Sequence, residues 1–320
     1  MPDAHRSFGS TLWLLAAIAW VLSACSGAAD PTSPPAKDFA GLVEIGPGCT
    51  MYLECRGTGT PTVVFVSGLR FAADQWSMTK VSGSTSARDG VDRFTRACVY
   101  DRPGVVVGGT AFSRSSPVMQ PITTANAVAD LHALLSASHE AGPFVLAAHS
   151  YGGQIARLYA STYPQEVAGL VLIDAQSEEL QTLLPPELFQ EFLRLNAPQR
   201  DSLEEYPAIE RADFERSFAQ IRAAAPIRPL PLVVLSADRS VAPQIAEGIA
   251  NGSLPADILP GYGAAIDAAQ PIMQRHLAEL VPGATHITNT NSGHDINIEQ
   301  PQLVIDGVRK VVDAVRAGKP

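Results

Sequence analysis

The chain has 320 residues, 46% hydrophobic and 17% charged, which is enough apolar material for a large core and ordinary for one or two globular domains. Its 23 Lys and Arg stand against 32 Asp and Glu, for a formal net charge of -9. That charge is spread along the chain with no basic patch, so nucleic-acid binding has no electrostatic support.

At the N-terminus, His5 and Arg6 precede an apolar stretch from Thr11 to Leu22. It is too short to span a bilayer comfortably, but it suits the core of a signal peptide. "LSAC", Leu22 to Cys25, resembles a bacterial lipoprotein processing site. The reading is a signal peptide over 1–24, cleavage before Cys25 and a lipid on its sulfur. The exported chain would then be anchored on the outer side of the cell membrane or envelope. A plain secretory signal is the alternative. The Pro-rich, polar stretch 25–38 has the composition of a disordered tether.

Short apolar runs then alternate with helical patterns. "LVEI" (42–45), a Gly-Pro-Gly turn and "TMYLEC" (50–55) read as a hairpin. "TVVFV" (62–66) and "ACVYD" (97–101) read as buried strands. Ala125 to Ser138 carries Val128, Leu131 and Leu135 at helical spacing. "FVLAAH" (144–149) reads as a strand, followed by a helix from Gly152 to Tyr163 that Pro164 stops. "GLVLID" (169–174), "LPLVVLSAD" (230–238) and "THITNT" (285–290) are further strands, and a helix over about 302–317 closes the chain. Strands alternating with helices predict a mostly parallel sheet covered on both faces. Residues 176–229 break the rhythm. They hold helical patterns and no convincing strand, so they read as a helical insertion.

The chemistry centres on Ala148-His149-Ser150-Tyr151-Gly152-Gly153. A serine between small residues, after a strand and before a helix, fits the G-x-S-x-G elbow with Ala148 at the first glycine position. Such a turn lifts the hydroxyl above the sheet, and the start of the helix points N–H groups at the same spot.

With that motif in that context, the chain resembles an α/β-hydrolase-fold serine hydrolase of the capped bacterial type, from about residue 42 to the end. The resemblance implies an eight-stranded, mostly parallel sheet with helices on both faces. The core would be 39–175 and 230–320, and 176–229 a helical cap inserted before the acid-bearing strand. It also implies the order Ser, Asp, His for nucleophile, acid and base. Ser150 would be the nucleophile, His294 in "NSGHDINIEQP" the base, and Asp238, after "LPLVVLSAD", the acid. Asp174 is the alternative acid, since some members of the fold carry it on the preceding strand. The oxyanion donors would be the N–H groups of Tyr151 and Leu69. The loop "SGL" (67–69) has Ser67 where many relatives have His.

His149 reads as structural or pocket-lining, Asp295 as facing away, and Asp101-Arg102 as a scaffold. In the implied fold the strand ending at Cys55 runs beside the strand near Cys98, so these two are expected to pair and Cys49 to stay free. Cys49 lies six residues before Cys55 on one strand, roughly 20 Å away. Scattered histidines and the lack of a dinucleotide or phosphate loop give no expectation of a metal or cofactor.

The expected activity is cleavage of a carboxylic ester, small or lipid, through an acyl-enzyme. An aminopeptidase-like relative is the alternative. It would need a cap carboxylate such as Glu187, Glu204 or Glu205 to hold an ammonium. A third reading is a non-catalytic lipoprotein retaining the fold. An Asp nucleophile, as in dehalogenase-type relatives, is absent from the elbow.

Overall fold

A computed structural model describes residues 37–319. The expected signal peptide, Cys25 and all but the end of the tether lie outside the described residues. β1 (Phe39–Gly46) and β2 (Cys49–Arg56) form the expected hairpin. β3 (Val63–Val66) leads through a 3-10 turn (Ala73–Ser77) and α1 (Ala87–Val91) to β4 (Ala97–Tyr100). A small hairpin, β5 (Val106–Val107) and β6 (Ala111–Phe112), precedes α2 (Thr124–Ser138). β7 (Phe144–His149), α3 (Tyr151–Thr162) and β8 (Val167–Ile173) follow.

Between β8 and β9 (Leu232–Leu235) the chain is helical: α4 (Leu180–Leu183), α5 (Pro186–Leu195), α6 (Arg200–Glu205) and α7 (Phe214–Ala223). α8 (Ala242–Ala250) and α9 (Tyr262–Ala278) then lead to β10 (Thr285–Ile287), α10 (Ile296–Glu299) and α11 (Pro301–Arg316).

Eight strands make one sheet in the order β1-β2-β4-β3-β7-β8-β9-β10. β1/β2 and β2/β4 are antiparallel, and every other pair is parallel. The central strands β3, β4, β7 and β9 are buried along their whole length. This is the apolar run that a sheet covered on both faces demands.

Alternation sorts their side chains between two cores. Val64, Val66, Leu146, Ala148, Leu170 and Leu172 pack on one face with α2, α3 and the inserted helices. Val63, Phe65, Val145, Ala147, Val171 and Ile173 pack on the other with α1 and α11. Each such buried aliphatic contributes about 1.5–3 kcal/mol relative to exposure.

Cys55 and Cys98 sit opposite each other in the β2/β4 register and are joined as a disulfide, while Cys49 is free. No helix among the described residues is long and apolar enough to cross a membrane.

Candidate active site

β7 ends at His149 and α3 begins at Tyr151, so Ser150 makes the turn alone. Its φ of 53° lies in the left-handed region, where a non-glycine residue stores about 1–3 kcal/mol of strain. Neighbouring backbone holds it there. Ser150 N–H donates to Ile173 O (3.2 Å), and Ser150 O accepts from Gly153 N–H (2.9 Å) and Gln176 N–H (3.0 Å). Glycine is required at 152, because a Cβ there would lie 2.3 Å from the carbonyl oxygen of Val66.

Ser150 Oγ lies 2.9 Å from His294 Nε2, and His294 Nδ1 lies 2.6 Å from Asp174 Oδ2. A carboxylate only accepts, so Nδ1 carries the proton and Nε2 faces the serine hydroxyl with its lone pair. Asp174 follows β8 directly and is 6% exposed. Its Oδ1 accepts from Ala237 N–H (3.0 Å) and from the Gln270 amide of α9. Desolvation lowers the His294 pKa, but the hydrogen bond and charge of Asp174 outweigh it, with help from Asp295, and the net shift is upward.

The expectation that Asp238 orients His294 is corrected. Asp238 lies three residues beyond β9, where its carboxylate accepts from Asn291 N–H and Ser292 N–H, both at 2.9 Å, and from the Thr290 hydroxyl. It staples the loop that carries His294 rather than touching the imidazole. Desolvation acts against its ionised form, but these hydrogen bonds prevail and hold its pKa below the ordinary aspartate value.

The loop after β3 reaches the same place. Ser67 Oγ accepts from Trp76 Nε1–H (2.9 Å) and donates to Ala72 O (3.1 Å), so serine supplies the internal hydrogen bonding of this turn. Arg102 donates to Ser67 O (2.9 Å) and Gly68 O (2.7 Å). The Gly68 carbonyl shares a planar peptide with Leu69 N–H, so anchoring it to Arg102 turns that N–H the opposite way. Among the described residues neither Leu69 N–H nor Tyr151 N–H donates a hydrogen bond within the protein. Asp101 and Arg102 are scaffold residues as read, with separate partners: Asp101 pairs with Arg114 (2.6 Å) and Arg102 with Glu210 (2.6 Å).

A cavity of about 520 Å³ opens beside Ser150, His294 and Asp174. Leu180 and Phe192 reach it from the inserted helices, and Tyr262, Ile266 and Met273 from α9. Most other apolar residues of the insertion, including Phe189, Phe214, Phe218 and Ile221, pack into the core instead. Glu187, Glu204 and Glu205 are exposed and do not line the cavity, and Glu204 is paired with Arg200. One metal-type grouping lies within ligating distance among the described residues: Cys55, Cys98 and Glu140. Its sulfurs are joined as a disulfide, and Glu140 is paired with Arg96.

Gln270 and Glu210 belong to this site's support, as does Gln75, whose Oε1 accepts from Gly68 N–H at 3.1 Å, and none of the three carries a sequence signal as such. The helix that holds Gln270 contains Pro271, which reads as a helix breaker. Asp295 lies closer in than expected, with Oδ1 4.0 Å from His149 Nε2.

A sequence profile described as the alpha/beta hydrolase family matches residues 63–306. The chain is 41% identical over 91 residues to an uncharacterized protein of Schizosaccharomyces pombe, spanning only 15% of that protein and 28% of this one. It is 24% identical over 193 residues to the uncharacterized protein YqjL of Bacillus subtilis, covering 59% of this chain and 67% of the relative. A thermophilic esterase from Thermogutta terrifontis superposes with a TM-score of 0.51 at 19% identity, over 88% of this chain and 99% of that one.

Proposed function

This chain belongs to the alpha/beta hydrolase family, and from that premise we propose that it is a serine hydrolase cleaving carboxylic esters, small or lipid, through Ser150, His294 and Asp174. The observation that carries the reading is the continuous hydrogen-bonded line from Ser150 Oγ through both nitrogens of His294 to Asp174. A serine hydroxyl is a weak nucleophile until a base takes its proton. His294 Nε2 takes it as Ser150 Oγ attacks the ester carbonyl, and the resulting imidazolium is stabilised by Asp174. The carbonyl oxygen becomes an oxyanion between the N–H groups of Leu69 and Tyr151. Each such donor is worth about 3 kcal/mol of barrier. His294 then gives its proton to the leaving alkoxide, and an acyl-serine remains. Water, activated by the same imidazole, releases the acid.

The cavity supports an ester with an apolar portion, since Leu180, Phe192, Ile266 and Met273 line it. Export and a lipid on Cys25 are part of the proposal. The Cys55–Cys98 disulfide supports an oxidising compartment.

The experiment is labelling by a fluorophosphonate probe, with hydrolysis of a p-nitrophenyl ester series in parallel. The wild type is expected to label and turn over, and Ser150→Ala to do neither. Labelling that persists in the mutant removes Ser150 as nucleophile, and a folded wild type that neither labels nor hydrolyses removes the enzymatic reading. Cys25→Ala is expected to release the protein from the membrane fraction.

A further inference from the structure

We propose that Gln75 and His149 form a positioning relay that ties the oxyanion loop to the backbone of the catalytic histidine, so that one hydrogen-bonded string sets both halves of the site. The inference rests on the reading of Ser150, His294 and Asp174 as a hydrolytic triad. Neither Gln75 nor His149 touches the reacting atoms in it.

The string has three links. Gly68 N–H donates to Gln75 Oε1 at 3.1 Å. Gln75 Nε2 lies 3.0 Å from His149 Nδ1, and His149 Nε2 lies 2.9 Å from His294 O. Its direction is forced. A backbone N–H only donates, so Gln75 turns its oxygen to Gly68 and its NH2 to His149. An NH2 only donates, so Nδ1 of His149 is the lone-pair nitrogen and Nε2 carries the proton. That proton meets a carbonyl, which only accepts. Every donor has an acceptor, and no other tautomer satisfies all three links.

Two further features fit this role. Gln75 is 0% exposed and His149 1%, so water does not compete for the links. A Cβ on Gly68 would lie 3.1 Å from His149 Nδ1, so glycine lets the loop lie against the ring. Leu69, the expected oxyanion donor, is the next residue along. Burial, with the charge of His294 acting in the same direction, pushes the His149 pKa down to about 3. The ring therefore stays neutral beside His294, 4.7 Å away between ring centroids, while His294 alternates between its two charge states. The charged groups around the string are Asp295 and His294 on the loop after β10, Asp174 after β8, Asp101, which holds Ala73 N–H at the start of the turn carrying Gln75, and the Arg102–Glu210 pair, whose guanidinium donates to the Gly68 carbonyl.

Two variants test it. Gln75→Met keeps the bulk and removes both links. It is expected to lower kcat by about 10–100-fold with KM changed less than about threefold, and to slow Ser150 labelling in proportion, as loss of transition-state positioning requires. Gln75→Glu keeps the string while its carboxyl and His149 hold one titratable proton between them, either on the carboxyl, donating to Nδ1, or on Nδ1, donating to the carboxylate, and breaks it when that proton leaves. Its kcat relative to wild type at the same pH is therefore expected to be near one at about pH 5 and to fall about tenfold or more by about pH 9, as the pair loses that proton. A packing role alone gives no such pH signature.

A flat ratio across that range, in protein that circular dichroism shows to be folded at both ends, overturns the relay. So does a folded Gln75→Met with wild-type kcat. If Gln75→Met does not fold, the Gln75→Glu ratio decides alone. Failure of the triad reading looks different, because hydrolysis then survives Ser150→Ala, whatever Gln75 does.

Discussion

Arg102 and Glu210 form an ion pair at 2.6 and 3.0 Å with both side chains withdrawn from solvent. The pair joins the segment between α6 and α7 to the turn after β4, and through Arg102 to the carbonyls of Ser67 and Gly68. Glu210 Oε2 also accepts from Arg70 N–H, one residue beyond Leu69. The helical insertion and the loop after β3 thus share one electrostatic anchor.

Removing one member strands the other. Glu210→Ala leaves a buried guanidinium without its carboxylate, which costs about 3–5 kcal/mol. The urea midpoint is expected to fall accordingly with little change in slope. Replacing both partners by apolar residues of similar volume should cost less stability than Glu210→Ala alone. The double variant should still lose turnover, because Ser67 O and Gly68 O are no longer held. A Glu210→Ala protein as stable as wild type would contradict this account of the anchor.

Asp174 and Asp238 separate cleanly by mutation. Asp174→Asn keeps the shape but presents an NH2 where His294 Nδ1 needs an acceptor, which favours the wrong tautomer. A loss of about 10⁴ in kcat is expected, as for the equivalent change in other triads. Asp238→Asn keeps one acceptor oxygen, which can hold the Ser292 N–H, and turns an NH2 toward the Asn291 N–H, so the loop loses one hydrogen bond while the contact of His294 with Asp174 is untouched. Turnover is expected to stay within about tenfold. Parallel kinetics on the two variants decide the assignment. Full activity in Asp174→Asn would return the role to Asp238.

This pair also marks the limit of what the chain discloses on its own. The elbow was legible because "AAHSYGG" carries local constraints: small residues around a serine, between an apolar run and a helical one. The sheet was legible because its central strands are buried along their whole length and read as continuous apolar runs. Cys55–Cys98 followed from the implied strand adjacency, and the structure holds that disulfide. Which aspartate meets His294 was not legible, because in the sequence both close an apolar strand run, "GLVLID" and "LPLVVLSAD", and the choice depends on where each strand stops and which way each side chain turns. Asp174 adopts a φ of 40° and projects to His294, whereas Asp238 is drawn back by the turn at 290–292. Support from Gln75, Gln270 and Glu210 is non-local, and no spacing rule announces it.

Two histidines give opposite pH signatures. The His294 pKa is raised above its ordinary 6.5, so the acid limb of kcat/KM is expected above that value, and it should move down when Asp174 is neutralised. Its effect on stability is present below about 6.5 and is lost as pH rises through the raised folded value. The His149 pKa is pushed down to about 3 by burial and by His294. Between about 3 and 6.5 the unfolded chain therefore binds one more proton at this residue than the folded chain. Stability falls as pH falls through that window, by about 1.4 kcal/mol per pH unit where the difference is a full proton. Urea midpoints between about pH 4.5 and 6.5 are expected to show this slope, and His149→Gln to lose one proton's worth of it. An unchanged slope in that variant would mean that His149 protonates in the folded state.

The first glycine position of the elbow and the last are not equivalent here. Ala148 is buried on β7 with its side chain in the core, and a methyl is accommodated there. Gly152 faces the carbonyls of Val66 and Ser67, which a Cβ would approach to 2.3 and 2.7 Å. Those atoms are backbone of β3 and of the loop that follows it, so neither can swing aside as a side-chain tip would. Gly152→Ala must push α3 away from that loop and is expected to cost about 1–3 kcal/mol, as overpacking does. Because the same shift separates Tyr151 N–H from Leu69 N–H, the folded fraction should also label more slowly with fluorophosphonate. Ala148→Gly touches neither donor. It is expected to cost about 0.5–1 kcal/mol of backbone entropy with labelling close to wild type. Equal labelling rates in the two variants, measured per folded molecule, would show that the elbow tolerates the displacement and that its glycine serves only packing.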